Sequence, residues 1–147
     1  ALEVTHASGK PFSANDQQQK EAIFDAYIIG ISTDRAVLYE RIDTRVDMMM
    51  QNGLEEEARQ LYDAVKGLDV QSIRGIGYKE WVDYFEGQLS KEATIQKIQQ
   101  NSRRYAKRQL TWFRNRFEAV HWHDLVENPN TISQVVLDCQ KFLLGSE

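Results

Sequence analysis

The chain has 147 residues, of which 41% are hydrophobic and 27% charged, and its formal net charge is −4. This composition excludes disordered, collagen-like and disulfide-scaffold proteins, and the length suits one soluble globular domain. Because the apolar runs are far shorter than the roughly 20 residues that cross a bilayer, and because Cys139 is the single cysteine, we expect no membrane partner, no internal disulfide and a location in the reducing cytoplasm.

The first third of the sequence predicts a helix end, a loop, a strand and a long helix. Residues 1–4 have the apolar spacing of a helix end, residues 9–11 break that helix with glycine and proline, and the polar residues 13–20 predict a loop. Residues 26–31 form an apolar, β-branched run that is typical of a buried strand. The helical pattern over residues 34–51 then completes a βα unit.

Capping residues mark the limits of the next helices. Ser32 or Thr33 is expected to cap the helix over residues 34–51, and the Asn52-Gly53 pair ends it. A second helix begins at Leu54, with apolar residues at positions 54, 58, 61 and 65, and ends at Gly67.

The rest of the chain predicts three more helices and one strand. A glycine-rich loop over residues 68–77 leads into a short helix over 78–85. Ser90 is the expected cap of the longest helix, which runs to about Phe117. A short strand over residues 119–122 and an amphipathic helix over 132–143 follow.

Charge is concentrated in the longest helix. Between Lys97 and Phe117 there are seven basic residues and no acidic ones, whereas the rest of the chain has 11 basic and 22 acidic residues. Helical spacing places Ile98, Tyr105, Ala106, Leu110, Phe113 and Phe117 on an inner arc and the cations on the opposite arc. Such a surface suits single-stranded RNA, with Tyr105 and Trp112 as stacking groups. The alternative is an ordinary amphipathic helix with Trp112 and Phe113 in the core.

Three arginines on the helix after the first strand are candidates for binding an anion. Arg41 and Arg45 are four residues apart and project in nearly the same direction, and Arg35 lies near the start of the helix. Guanidinium groups bind diphosphate bidentately. The alternative is that these arginines pair on the surface with the neighbouring acids Asp34, Asp43 and Asp47.

The remaining candidates favour structural roles. The glycine-rich segment 72–78 lacks the G-x-x-x-x-G-K-[ST] pattern of a phosphate loop, so its glycines indicate tight turning or close approach to a ligand. His121 and His123 share one face of a strand, but without a third ligand they are interpreted as structural. Cys139 is interpreted as a small core residue.

Four motifs occur in register along the chain. They are LYERIDTRVDM at 38–48, Gly53-Leu54 with Glu57, IGYKE at 76–80 and AKRQLTWFR at 106–114. In this order and spacing they strongly resemble the tRNA dimethylallyltransferases, also called tRNA isopentenylpyrophosphate transferases. The segments at 1–4 and 9–13 are similar to the part of the family that follows its inserted helical domain. The resemblance covers essentially the whole chain, but only the C-terminal half of the family's usual length.

The resemblance implies transfer of a dimethylallyl group from dimethylallyl diphosphate to N6 of the adenosine next to the anticodon in tRNA. It implies an α/β, predominantly helical fold, namely the C-terminal part of a P-loop-kinase-like domain with about two short strands and five to six helices. Arg45 matches the family's active-site arginine, which neutralises the departing diphosphate. Arg41 and Arg35 would support it.

The resemblance also implies a surface for the anticodon stem-loop. The segments that match are the loop over residues 69–77 and the helical segment over residues 104–109, which would position the flipped adenosine. The residues expected to contact tRNA are Ser72, Ile73, Arg74, Gly75, Gly77, Tyr78, Arg103, Arg104, Lys107, Arg108, Gln109 and Arg114.

The chain departs from the family pattern because it contains neither the phosphate loop nor the aspartate that serves as general base. The N-terminal half of the enzyme is therefore an expected partner. Mg²⁺ is expected in the full-length enzyme, with no ligand from these residues. We expect the 147 residues alone to be inactive, and a two-stranded sheet to need cover from helices or another chain. The alternative function is a freestanding helical RNA-binding module.

Overall fold

The computed structural model of the protein describes residues 5–7, 9, 25–65 and 70–145. In chain order, these residues form β1 (Ile28–Ile31), α1 (Arg35–Gln51), α2 (Leu54–Ala64), a 3-10 helix (Gln71–Arg74), α3 (Lys79–Phe85), α4 (Lys91–Arg116), β2 (Val120–His123) and α5 (Thr131–Leu144). The predicted α/β, predominantly helical fold with two short strands is confirmed. The loop predicted at 13–20 and the helix end predicted at Gly67 lie outside the described residues.

The helix starts follow from side-chain caps, one of which sequence analysis placed wrongly. Asp34, and not Ser32 or Thr33, caps α1, because its carboxylate accepts hydrogen bonds from the backbone N–H groups of Ala36 at 2.7 Å and Val37 at 3.3 Å. Ser90 caps α4 as predicted, since its hydroxyl accepts from the Ala93 N–H at 3.2 Å.

The two strands pair in parallel, with Ile28 opposite Val120 and Gly30 opposite Trp122. Gly30 is buried because the indole ring of Trp122 lies directly over it. The prediction that the first strand is buried was otherwise wrong, since Ile29 and Ile31 are exposed. Within the described residues, the sheet has only these two strands and so leaves part of its apolar surface uncovered.

The core lies among the helices rather than against the sheet. Its buried apolar residues are Val46 on α1, Leu54 and Ala58 on α2, Trp81 on α3 and Ile98 on α4. Trp81 and Ile98 are only 0% and 1% exposed. This cluster joins α1, α2, α3 and the first half of α4 into one packed unit.

The second half of α4 and the whole of α5 are less buried than their apolar patterns predict. Ile98 is buried as expected, but Tyr105 and Phe113 are exposed because α4 extends beyond the helical core. None of the residues of α5 is buried, and Cys139 is half-buried rather than a core residue. In the described part of the chain, no helix has both the length and the apolar character that a bilayer crossing requires.

Candidate functional site

Arg41 and Arg45 project from the exposed side of α1 into one groove of about 700 Å³, which Glu40 and Met48 also line. Their spacing of four residues puts the two guanidinium groups on the same side of the helix, as predicted. Arg35 does not line this groove. Its Nε donates a hydrogen bond to the Tyr39 hydroxyl at 3.1 Å.

The acidic residues of α1 are engaged elsewhere. Asp43 forms an ion pair with Arg103 of α4, and Asp47 accepts a hydrogen bond from the Gln99 amide at 3.1 Å. At about 100° per residue, these aspartates lie on the side of α1 roughly opposite Arg41 and Arg45. Asp34 is the helix cap. The alternative in which these acids neutralise the two arginines is therefore wrong, and neither arginine has an acidic partner among the described residues.

A second groove, of about 610 Å³, runs along the exposed side of α4. Its lining consists of cations, amide and hydroxyl groups and one indole, namely Arg104, Lys107, Arg108, Thr111, Trp112, Asn115 and Arg116. No acidic residue lines it. Trp112 is 54% exposed, so the alternative that placed it in the core is wrong.

The other predicted tRNA residues of α4 have different surroundings. Arg103 is half-buried in its ion pair with Asp43, which ties α4 to α1. The Arg114 guanidinium lies 5.4 Å from the centre of the Trp122 ring. The basic helix therefore divides into cations that face the groove and cations that hold the fold together.

A third cavity, of about 340 Å³, lies between the sheet and the helices α1 and α4. Arg41 and Gln109 both line it, together with apolar residues of β1 and β2. Gln109 therefore belongs to this cavity and not to the groove along α4. Arg41, which is predicted to contact diphosphate, and Gln109, which is predicted to contact tRNA, thus line the same cavity.

The glycine-rich segment forms the 3-10 helix and the turn that follows it. Ser72 is exposed and Ile73 is half-buried, both within the 3-10 helix, and neither lines the groove along α4. The Tyr78 hydroxyl donates a hydrogen bond to Glu57 on α2 at 2.7 Å. This hydrogen bond raises the pKa of Tyr78 because it stabilises the protonated hydroxyl.

Arg74 lies at the end of the 3-10 helix and is exposed, as is Gly75 directly after it. Gly77 has φ of +100°, a backbone conformation that favours glycine. The segment therefore makes the tight turn that its glycines predicted.

Glu80 belongs to the motif at 76–80, but its role in the structure was not predicted. Its carboxylate is buried and accepts hydrogen bonds from Gly77 and from Asn101 of α4. The available signal was a carboxylate within the first turn of a helix that follows a glycine turn, where it reaches back to an unpaired N–H group.

The histidines of β2 make no metal site with their surroundings. Within the ranges that the structure describes, no group of three or more His, Cys, Asp or Glu residues could hold a metal ion. The His121 ring stacks on Tyr27 with their centres 4.1 Å apart, and Tyr27 also contacts Phe142 of α5. His121 thus helps to hold α5 near the sheet.

Comparison with known proteins gives consistent matches. The family model "IPP transferase" matches residues 1–116. The tRNA dimethylallyltransferase of Geobacillus thermodenitrificans is 47% identical over 147 residues, which are 99% of this chain and 45% of that protein. The chain therefore spans about half the length of the curated relatives that it matches.

Two solved bacterial structures have a similar fold. The tRNA delta(2)-isopentenylpyrophosphate transferase of Staphylococcus epidermidis superposes with a TM-score of 0.75 at 36% identity, covering 96% of this chain and 47% of that one. The full-length tRNA isopentenylpyrophosphate transferase of Bacillus halodurans gives a TM-score of 0.72 at 35% identity, covering 98% and 49%. The fold of these neighbours is P-loop NTPase-like, as the family resemblance implied. Since the family model matches 116 of the 147 residues, the chain belongs to the IPP transferase family.

Proposed function

We propose that this chain is the C-terminal part of a tRNA dimethylallyltransferase. The complete enzyme transfers the dimethylallyl group of dimethylallyl diphosphate to N6 of the adenosine adjacent to the anticodon. In this proposal, the 147 residues supply the surface for the anticodon stem-loop and a diphosphate-contacting arginine. The family match and the names of the relatives support this function over a freestanding RNA-binding module.

The observation that carries the proposal is the pair of cationic surfaces whose arginines and lysines form no ion pair with the described residues, although Glu40 lines the groove beside Arg41. Arg41 and Arg45 form one surface on α1, and the groove along α4 forms the other. The cavity that Arg41 and Gln109 share lies between the same two helices. One chain thus has separate places for a small anion and for an RNA backbone, which a transfer from a diphosphate to RNA requires.

Arg45 acts on the leaving group. When N6 attacks the allylic carbon, the carbon–oxygen bond breaks and negative charge grows on the diphosphate. A guanidinium group already in place stabilises that charge more strongly than the charge of the ground state. Arg41, one turn away on the same exposed side, holds the same anion, whereas Arg35 is positioned by Tyr39 outside the groove.

Mg²⁺ is proposed for the complete enzyme, where it would neutralise diphosphate charge. The described residues offer no cluster of ligands for it. We assign its binding, the general base and the phosphate loop to the N-terminal half. Cytoplasmic location follows from the proposed tRNA substrate.

The groove along α4 binds RNA through its phosphates and through an unpaired base. Its cations lie along the helix beside the exposed indole of Trp112, and this combination of charge and an aromatic face suits single-stranded RNA. Each phosphate that is neutralised on a single strand contributes about −0.7 to the slope of log K against log salt concentration. The slope of log K against log salt concentration therefore indicates how many cations contact RNA.

The test is binding of a tRNA anticodon stem-loop to the full-length enzyme over a range of salt concentrations. Lys107→Glu combined with Arg108→Glu should weaken binding by roughly tenfold and flatten the slope by about 1.4, because two phosphate contacts are lost. The control is Lys141→Glu, which reverses an exposed charge on α5. Unchanged affinity and slope in the double variant would exclude α4 from the RNA interface and overturn the proposal.

A further inference from the structure

Glu80 is a carboxylate with almost no access to water, and the proposed reaction has no use for it. It lies in the first turn of α3 beside Trp81, and the two residues are 1% and 0% exposed. A carboxylate in such a place is stable only when hydrogen bonds replace its lost hydration. Its partners therefore show what it holds in place.

Those partners come from two different elements. The Gly77 N–H donates to one carboxylate oxygen at 2.9 Å, and the Asn101 side-chain amide donates to the other at 2.7 Å. The Lys79 ammonium group lies farther away, at 3.9 Å. Glu80 thus connects the turn before α3 with the middle of α4.

The turn that Glu80 holds is the end of the glycine-rich segment. Gly77 has φ of +100°, and the N–H groups of Tyr78 and Lys79 both donate to the Gly75 carbonyl, at 3.2 and 3.1 Å. The Gly77 N–H points inward to Glu80 instead. Removing the carboxylate would leave this N–H buried without an acceptor, which is destabilising and favours another turn conformation.

The other end of the bridge reaches the basic helix just before its groove. Asn101 is three residues, or about one helical turn, before Arg104, the first residue that lines the groove. The bridge therefore fixes the glycine turn relative to the same helix that carries the groove cations.

We infer that Glu80 is a positioning residue that holds the Gly75–Gly77 turn and α4 in one fixed arrangement, so that both contact the same RNA. This inference rests on the proposed function, since it requires that the turn and the groove bind RNA. Glu80 itself is buried and contacts no RNA; it acts through Gly77 and Asn101.

The central variants are Glu80→Ala and Glu80→Gln. Alanine removes both acceptors. Glutamine keeps an acceptor for the Gly77 N–H and presents an NH₂ group toward Asn101, whose amide can rotate to accept it. Both variants remove one negative charge, which by electrostatics alone would strengthen RNA binding. A loss of affinity restricted to the alanine variant must therefore come from lost positioning.

Two measurements on the full-length enzyme test the inference at a temperature where circular dichroism shows each variant fully folded. Amide hydrogen exchange of Gly77 reports the turn, and stem-loop binding at several salt concentrations reports RNA contact. Glu80→Ala should speed Gly77 exchange at least tenfold, by about the factor that a 1.4 kcal/mol loss gives, and should weaken binding about threefold to tenfold. Glu80→Gln should leave both within about threefold of the unmodified chain.

Each outcome decides the question. Faster Gly77 exchange with unchanged RNA affinity in Glu80→Ala would overturn the positioning role and leave only a local structural one. Equal losses of RNA affinity in Glu80→Ala and Glu80→Gln would show that the hydrogen bonds from Gly77 and Asn101 do not carry the effect. If Glu80→Ala does not fold, Asn101→Ala replaces it: that variant should weaken binding while Gly77 stays protected, and unchanged binding would refute the inference. If the full-length enzyme without substitutions binds no stem-loop, the proposed function fails, while Gly77 exchange still reports whether Glu80 holds the turn.

Discussion

Gly30→Ala should destabilise the sheet although it adds only one methyl group. Gly30 lies in β1 opposite Trp122 of β2, and a Cβ atom there would lie 2.5–2.8 Å from three atoms of the indole ring. Nonbonded carbon atoms are normally separated by about 3.5–4.0 Å, so the ring would have to retreat by about 1 Å. The ring is also in contact with Arg114, whose guanidinium carbon lies 5.4 Å from its centre.

The expected cost is about 1–3 kcal/mol, which is typical of an extra methyl group forced into a packed site. For a chain of this size, a cost near 2 kcal/mol corresponds to a fall in Tm of roughly 4–8 °C. Gly75→Ala is the matched control, because Gly75 has φ of −64° and its nearest neighbours would be 3.7 Å from the new Cβ. That variant should be stabilised by about 0.4–1 kcal/mol through loss of chain entropy in the unfolded state.

Urea unfolding monitored by tryptophan fluorescence measures both changes. A double-mutant cycle identifies the cause: in a Trp122→Leu background the three indole atoms are absent, so Gly30→Ala should cost much less. If Gly30→Ala is as stable as the unmodified chain, or costs the same in both backgrounds, the indole contact does not explain why glycine occupies this position.

Two further predictions concern the leaving group and acid stability. In the full-length enzyme, Arg45→Ala should lower kcat by about 10²-fold and tRNA affinity far less. The control Arg35→Ala should retain kcat. If Arg45→Ala mainly lowers tRNA affinity, Arg45 binds RNA and not the leaving group. The hydrogen bond from Lys91, with Nζ 2.6 Å from the carboxylate, holds the pKa of Glu55 below its ordinary value of 4.5. This pair therefore stabilises the fold above pH 4.5 and loses its effect as pH falls through the lowered pKa. Urea unfolding of Glu55→Gln should show a deficit at pH 7 that shrinks in acid, and a deficit independent of pH would contradict this account.

The elements that local signals define could be predicted closely from the sequence. The Ser90 cap and the long apolar and basic pattern placed the start of α4 correctly, because a helix N-terminus depends on one side chain and a few backbone N–H groups. The start of α1 was wrong because three adjacent polar residues can all cap a helix, and only the backbone geometry selects Asp34.

Features that depend on distant residues were not predictable from spacing. Periodicity placed Ile98 on the buried side of α4, but it could not show that the core ends near Ile98 and leaves Tyr105 exposed, nor that Arg103 of the predicted outer arc is half-buried against α1. The pairing of Asp43 with Arg103 joins residues 60 positions apart. This contact removes Asp43 as a partner for the arginines of α1, and no local sequence pattern indicates it.

Contacts with other parts of the fold also limit how many cations of α4 can bind RNA. The sequence has seven basic residues between Lys97 and Phe117, but three of them lie outside the groove along α4: Lys97 pairs with Asp83, Arg103 with Asp43, and Arg114 lies over Trp122. The four that remain line the groove, namely Arg104, Lys107, Arg108 and Arg116. At about −0.7 per phosphate, they give a salt slope of at most about −2.8 for α4. A steeper measured slope would therefore require phosphate contacts outside this helix, and the glycine-rich segment over residues 72–78 is where we expect them.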